Sequence, residues 1–216
     1  MRSPARIMLV DDHAIVRQGY RALLEQQPGL QVVAEAGDGD DAYRIYQEMH
    51  PDLVIMDLTL PQMGGVESIR RILQWDSRAR ILVFTMHQNA AYAVQAMRAG
   101  ARGYITKTGA PQTLVQAVFD VMEGKIALSA DIDHELALSR IAEAGSVIEE
   151  LTPREFEILR MLLTGKSIDD IAGVLNLSRK TVANTHYLIK NKLGVASDIA
   201  LVLIALRHGI LGDVPA

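Results

Sequence analysis

Leu53-Val54-Ile55-Met56-Asp57-Leu58-Thr59-Leu60-Pro61 is the stretch that decides the fold. Four apolar residues run together, an acid comes next, and a proline stands soon after. A short apolar run of this kind suits a strand buried on both faces, as in a parallel sheet. Four more runs share its form, at 7–10, 32–34, 81–84 and 103–105. Between them the apolar spacing turns helical, over about 14–27, 40–49, 66–74, 91–99 and 111–123. Strand and helix alternating five times predicts an α/β domain over residues 1–123, a five-stranded parallel sheet with helices on both faces.

Composition sets outer bounds. The 216 residues are 49% hydrophobic and 22% charged, enough apolar matter for a packed core. There is no cysteine, which excludes disulfides, thiolate catalysis and thiolate-held metals. The longest apolar run, 199–206, is far short of a membrane span, so no membrane association is expected. The first apolar run, 7–10, ends in two aspartates and is no signal peptide, so the expected home is the cytoplasm.

The residues just beyond the strands carry chemistry. The first run ends in Asp11-Asp12, the third in Asp57, the fourth in Thr85, and Thr106-Lys107 stands after the fifth. Open parallel sheets bind ligands at the carboxyl ends of their strands. The fold would therefore gather three carboxylates, a hydroxyl and an ammonium in one crevice. Two like charges about 4 Å apart cost on the order of 4 kcal/mol at an effective dielectric near 20. A hard cation with oxygen ligands, such as Mg2+, relieves that repulsion. A metal, a hydroxyl and a lysine around one further carboxylate are what phosphoryl transfer requires. Asp57 is the natural acceptor, with Asp11 and Asp12 on the metal. Any one of these aspartates alone would be read as a turn residue or helix cap.

These residues resemble the receiver domain of two-component response regulators, which is flavodoxin-like (CheY-like) in fold. The carriers are Val10-Asp11-Asp12-His13, Met56-Asp57-Leu58-Thr59-Leu60-Pro61 with Gly64-Gly65, Phe84-Thr85-Met86, and Gly103-Tyr104-Ile105-Thr106-Lys107. The resemblance implies that a sensor histidine kinase is the partner and that Asp57 takes phosphate from it. It implies Asp12 and Asp57 as side-chain ligands of Mg2+, Asp11 acting through water, and the Thr59 backbone carbonyl completing the set. Thr85 and Lys107 would contact the phosphate, and Tyr104 would be the switch aromatic.

Residues 124–149 read as an acidic linker, with a possible helix at 136–141. Beyond it, over 150–216, helix starts are well marked. Thr152-Pro153-Arg154-Glu155 is a capping box with proline at the first helical position, and Ser167-Ile168-Asp169-Asp170 has the same scheme. A short turn at Asn176-Leu177, then a helix capped by Ser178, reads as a helix-turn-helix. No acid lies between Asp170 and Asp198, while Arg179, Lys180, Lys190 and Lys192 do. Val182, Ile189 and Leu193 form one stripe of the second helix. Lys180, Asn184, Tyr187 and Asn191, flanked by Ala183 and Lys190, form the opposite one. That outward face can bond base edges in double-stranded DNA, with Arg179, Thr181, Lys190 and Lys192 nearer phosphates.

Residues 150–209 resemble the LuxR-type (NarL/FixJ) DNA-binding domain through Leu151-Thr152-Pro153-Arg154-Glu155, Ile171-Ala172, Ser178-Arg179-Lys180-Thr181-Val182 and Lys192-Leu193-Gly194-Val195. The chain departs from that class at Ala183, where lysine is common, and at Thr185, where histidine is common, so an unusual site preference is expected. The last helix is apolar on nearly every face, which calls for burial on both sides and suggests a second copy of the chain across a two-fold axis.

The combined expectation is a cytoplasmic transcriptional response regulator, not an enzyme. It would bind promoter DNA as a homodimer when phosphorylated and act on the transcription machinery. A magnesium-dependent phosphohydrolase is the rival reading of the same carboxylates. Against it, no second aspartate stands two residues after Asp57 to serve as acid and base. A regulator acting by protein contact alone is the rival reading of the helical domain.

Overall fold

The computed structural model describes residues 3–141 and 147–210, with the backbone alone at 138–141. Residues 142–146 of the expected linker and 211–216 of the expected helical domain lie outside the described residues. In chain order come β1 (Ala5–Val10), α1 (Ala14–Glu25), β2 (Leu30–Ala36), α2 (Gly39–Met49), β3 (Leu53–Met56) and α3 (Gly65–Trp75). Next are β4 (Ile81–Thr85), α4 (Ala90–Ala99), β5 (Gly103–Thr106), α5 (Pro111–Met122), β6 (Ala127–Leu128) and α6 (Ala130–Ile141). A short 3-10 turn, Val147–Glu150, precedes α7 (Pro153–Leu163), α8 (Ile168–Leu175), α9 (Arg179–Lys192) and α10 (Asp198–Arg207).

All strand pairs are parallel, in the order β2-β1-β3-β4-β5-β6. The sheet thus has six strands where the sequence predicts five. The sixth is two residues long, too short to leave a periodic signal. It pairs Ala127 with Gly103 and Leu128 with Tyr104. The stretch read as linker therefore contributes both an edge strand and α6, a helix far longer than the one expected at 136–141. Polar bonds tie it to β5: the Thr106 hydroxyl donates to Asp131 (2.7 Å) and the Thr106 amide to Ser129 (3.3 Å).

Alternate residues of each strand serve opposite faces, as the pleat requires. Ile7, Leu9, Ile55, Phe84 and Ile105 pack with Leu24 of α1 and with Leu114 and Val118 of α5. Met8, Val10, Val54, Met56 and Val83 pack with Ile69, Ile72 and Ala93 of α3 and α4. This second core does not stop at the sheet. It runs on through Phe156, Ile158, Leu159, Ile171, Val182 and Ile189, so the two halves share one apolar interior.

The helical domain forms where its caps are placed. Both expected capping boxes are present, Thr152 with Glu155 and Ser167 with Asp170, and Ser178 accepts from the Thr181 amide (3.0 Å). Asn176 ends α8 with φ 54°, a left-handed conformation that asparagine tolerates well, and so sets the turn into α9.

Two buried carboxylates fasten the halves together. Glu67 of α3, 1% exposed, receives Arg70 (2.6 Å), Arg71 (3.4 Å) and, across the seam, Arg154. Glu157 of α7, equally buried, pairs with Arg160 (2.7 Å) and accepts the Gly64 amide (3.0 Å). Burial alone would raise the Glu67 carboxyl, but the bonds from Arg70 and Arg154 outweigh it and hold it below the usual range. That pairing contributes fully above about pH 4.3 and is lost as pH falls through the lower folded value. Glu67→Gln leaves the arginines uncompensated and is expected to cost about 3 kcal/mol. Melting curves from pH 7 to pH 3 check this: the wild type should lose an increment of stability below about pH 4.3 that the variant lacks.

Candidate phosphoacceptor site and nucleic-acid face

The carboxyl ends of β1, β3, β4 and β5 bring Asp11, Asp57, Thr85 and Lys107 together, though they are far apart in sequence. Each strand ends where its apolar run meets a polar residue. Lys107 is the centre. Its Nζ lies 2.6 Å from Asp11 Oδ2 and 2.5 Å from Asp57 Oδ2. Asp11 and Asp57 are buried, at 6% and 4% exposure, and one ammonium neutralises part of their repulsion. Burial pulls the lysine pKa down; the pull of Asp57 and Asp11 outweighs it, so Lys107 is held above the ordinary lysine range. It stays charged.

The other Asp57 oxygen accepts the Thr59 amide (3.2 Å). Asp12 is exposed and pairs with His13 Nδ1 at 2.6 Å. Among the described residues, Asp11, Asp12 and His13 form the cluster whose ligand atoms lie close enough to share one ion. His13 was not a sequence expectation; its place directly after Asp12 is the signal that could have found it. Asp57 turns to Lys107 instead.

Thr85 is fully buried, and its hydroxyl accepts the His87 amide at 3.4 Å. Tyr104 is also fully buried and points inward, donating to the His87 carbonyl (2.9 Å). Burial pushes its phenol well above the ordinary tyrosine range. His87, which sequence reasoning passed over, therefore sits between Thr85 and Tyr104.

Gly65 makes the site possible. A Cβ there would lie 2.2 Å from the Asp57 carbonyl oxygen and 2.7 Å from Leu58 Cα, both backbone atoms. Helix α3 can begin this close to the end of β3 only with glycine.

Val182 and Ile189 of α9 and Leu193 just beyond it are buried. Arg179, Lys180, Thr181, Ala183, Asn184, Tyr187, Asn191 and Lys192 are exposed, as the two stripes predict. Lys190 is half-buried and pairs with Asp198 (3.1 Å). Lys192 donates to Glu155 (2.7 Å), and Arg179 lies 3.6 Å from Asp169. Among the described residues, Lys180 is the cation of α9 with no such pair. His186 is mostly buried and lies 2.9 Å from Asp198, a pairing within the helical domain. On α10, Leu201 and Ala205 are buried while Ile199, Val202, Leu203 and Leu206 are exposed. One face is packed on the domain and the other is bare.

Comparison with known proteins decides the family. The model of the response regulator receiver domain matches residues 7–119, and that of the bacterial regulatory proteins of the luxR family matches residues 149–205. The chain belongs to the two-component response regulators of the NarL/FixJ family. Response regulator UvrY of Escherichia coli K12 is 37% identical over 206 residues, 94% of each chain. A LuxR-family response regulator from Aurantimonas sp. SI85-9A1 is 57% identical, with a TM-score of 0.63, over 64% of this chain and 99% of that one. RcsB from Salmonella enterica serovar Typhimurium, solved on the rprA promoter with a beryllofluoride phosphomimetic, is 28% identical with a TM-score of 0.77. That match covers 98% of this response regulator and 100% of RcsB.

Gly65→Ala in this response regulator is expected to cost about 3 kcal/mol, because the crowded atoms are backbone and cannot swing aside. Chemical denaturation measures it, and Gly124→Ala is a useful contrast. At Gly124 a Cβ meets nothing within 4 Å, so its cost comes from its positive φ (86°) alone.

Proposed function

We propose that this response regulator is switched by phosphate on Asp57 and binds promoter DNA through α9. Residues 1–123 carry the acceptor chemistry, 124–149 connect, and 150–216 bind DNA. The observation that carries the reading is the Lys107 ammonium spanning Asp11 and Asp57 at the strand ends. An Asp57 carboxylate oxygen attacks the phosphorus of a phosphohistidine on the sensor kinase. The new O–P bond forms as the P–N bond to the donor imidazole breaks. Lys107 stays protonated and stabilises the negative phosphoryl oxygens. The Thr59 amide orients the carboxylate, and the Thr85 hydroxyl lies at the end of the neighbouring strand to contact the product.

The donor set fits a small hard cation. Asp11 and Asp12 offer carboxylate oxygens close enough to share one ion, and Asp57, now turned to Lys107, and the Thr59 backbone carbonyl would complete the oxygen set Mg2+ prefers. When bound, Mg2+ would neutralise oxygens of the transferring group. Tyr104 lies inward with its hydroxyl on the His87 carbonyl, and the His87 amide is on Thr85, so the ring stands where a movement of Thr85 would reach it.

The exposed face of α9 supports base contacts by Asn184, Asn191, Tyr187 and Lys180, with Ala183 beside them able to offer only an apolar contact. Arg179, Thr181, Lys190 and Lys192 suit phosphates, three of them after exchanging a carboxylate partner for one. The bare apolar face of α10 supports a homodimer of the phosphorylated form, and paired half-sites are what its symmetry requires. Structures of RcsB on promoter DNA with a phosphomimetic support the same reading. The bound dimer would then act on the transcription machinery. Among the described residues no helix is long and apolar enough to cross a membrane, which agrees with action on DNA in the cytoplasm.

Two experiments test the proposal. Asp57→Asn should abolish labelling by acetyl phosphate while the fold stays intact by circular dichroism; labelling at the wild-type level would contradict the assignment. On DNA, Asn184→Ala should cost about 1–3 kcal/mol on the preferred site and relax specificity there, leaving the salt dependence unchanged. Arg179→Ala, a phosphate contact, should instead lower the slope of log affinity against log salt by about 1 and weaken all sequences alike. Titrations at several salt concentrations separate the two.

A further inference from the structure

The loop between β4 and α4 joins the acceptor site to the far end of the chain. His87 Nε2 lies 3.1 Å from the Thr59 hydroxyl, and Thr59 is the residue whose amide holds Asp57. The His87 ring stacks on Tyr92 of α4, with centroids 3.9 Å apart and planes 11° from parallel. Tyr92 in turn meets Phe156 of α7 edge-on at 5.0 Å, and its hydroxyl donates to the Ile210 carbonyl (3.2 Å). Beside it, Asn89 caps α4 through the Ala91 amide (2.7 Å). Its side-chain nitrogen donates to the His208 carbonyl (2.6 Å). Gly209, at φ 65°, lets the chain come this near: a Cβ there would lie 2.9 Å from Asn89 Nδ2.

Two features mark this as more than packing. The His87 and Tyr92 rings lie flat on one another at 3.9 Å, so a turn of one ring is felt by the other. The bonds that set the His87 ring come from the site. Thr59 holds the His87 ring, while Thr85 and Tyr104 hold its backbone. What the far end grips is the last turn beyond α10, the helix whose other face is bare.

We propose that His87 is a positioning residue that ties the lip of the acceptor site to the end of α10. In the resting chain the Thr59–His87–Tyr92 contact pins residues 208–210 against α4. A change at Asp57 that moves Thr59 slackens the pin and frees α10 to meet its partner. The inference rests on Asp57 being the acceptor, but its test does not.

The test is hydrogen exchange on the full chain without phosphodonor or metal. His87→Ala and Thr59→Val should each speed exchange of the amides at 204–210 at least tenfold, while amides of β1 and β3 keep wild-type protection. The double variant should exchange no faster than His87→Ala alone, because both substitutions cut one link. Unchanged exchange at 204–210 in Thr59→Val overturns the proposal, as does additive acceleration in the double variant. If His87→Ala loses protection in β1 and β3, Thr59→Val decides alone. Acetyl phosphate labelling of the wild type is run alongside: its failure would remove Asp57 as acceptor and leave the exchange result standing.

Discussion

One ammonium between two buried carboxylates governs the rest of this molecule. Asp11 and Asp57 could not be brought so close without Lys107, and Lys107 could not be buried without them. The three stand at the ends of β1, β3 and β5, so their meeting requires the sheet to be in register. The fold therefore positions the charges, and the charges make the strand ends a reactive place. A carboxylate held by one cation and one amide is oriented and desolvated, as a nucleophile toward phosphorus needs to be.

The second constraint is the seam between the halves. It exchanges one buried acid in each direction, with Glu67 receiving an arginine of α7 and Glu157 reaching the start of α3. The Gly64 amide it reaches belongs to the loop that follows Asp57, so the helical half is fastened to the rim of the crevice itself. Around these bonds the apolar core is continuous. Yet the seam leaves the outward face of α9 open, and of α10 it touches the turn beyond the end rather than the bare face. What this closed arrangement restrains is therefore the setting of α10 relative to a second copy, rather than access to α9.

Much of this was legible in the amino-acid order. Apolar runs marked β1–β5, and the polar residues that close four of them marked the crevice at Asp57. Caps at Thr152, Ser167 and Ser178 gave the helical domain. Two kinds of feature were not legible. The edge strand at Ala127–Leu128 has two residues and no period to read. Glu67, Glu157, Arg154 and His87 sit in ordinary helix or loop contexts, and their meaning comes from what the tertiary fold sets opposite them. The pairing of Lys190 and Lys192 with Asp198 and Glu155 was hidden for the same reason, since both acids lie outside the acid-free window that drew attention to the cations.

The central claim is that occupancy of the oxygen-lined crevice at Asp57 governs association of the chain. Sedimentation velocity with and without beryllofluoride and Mg2+ tests it most directly. The mass should rise towards that of a dimer only when both are present. If beryllofluoride binds with Mg2+ and the sedimenting species stays the same, the crevice and the assembly are uncoupled and the account fails.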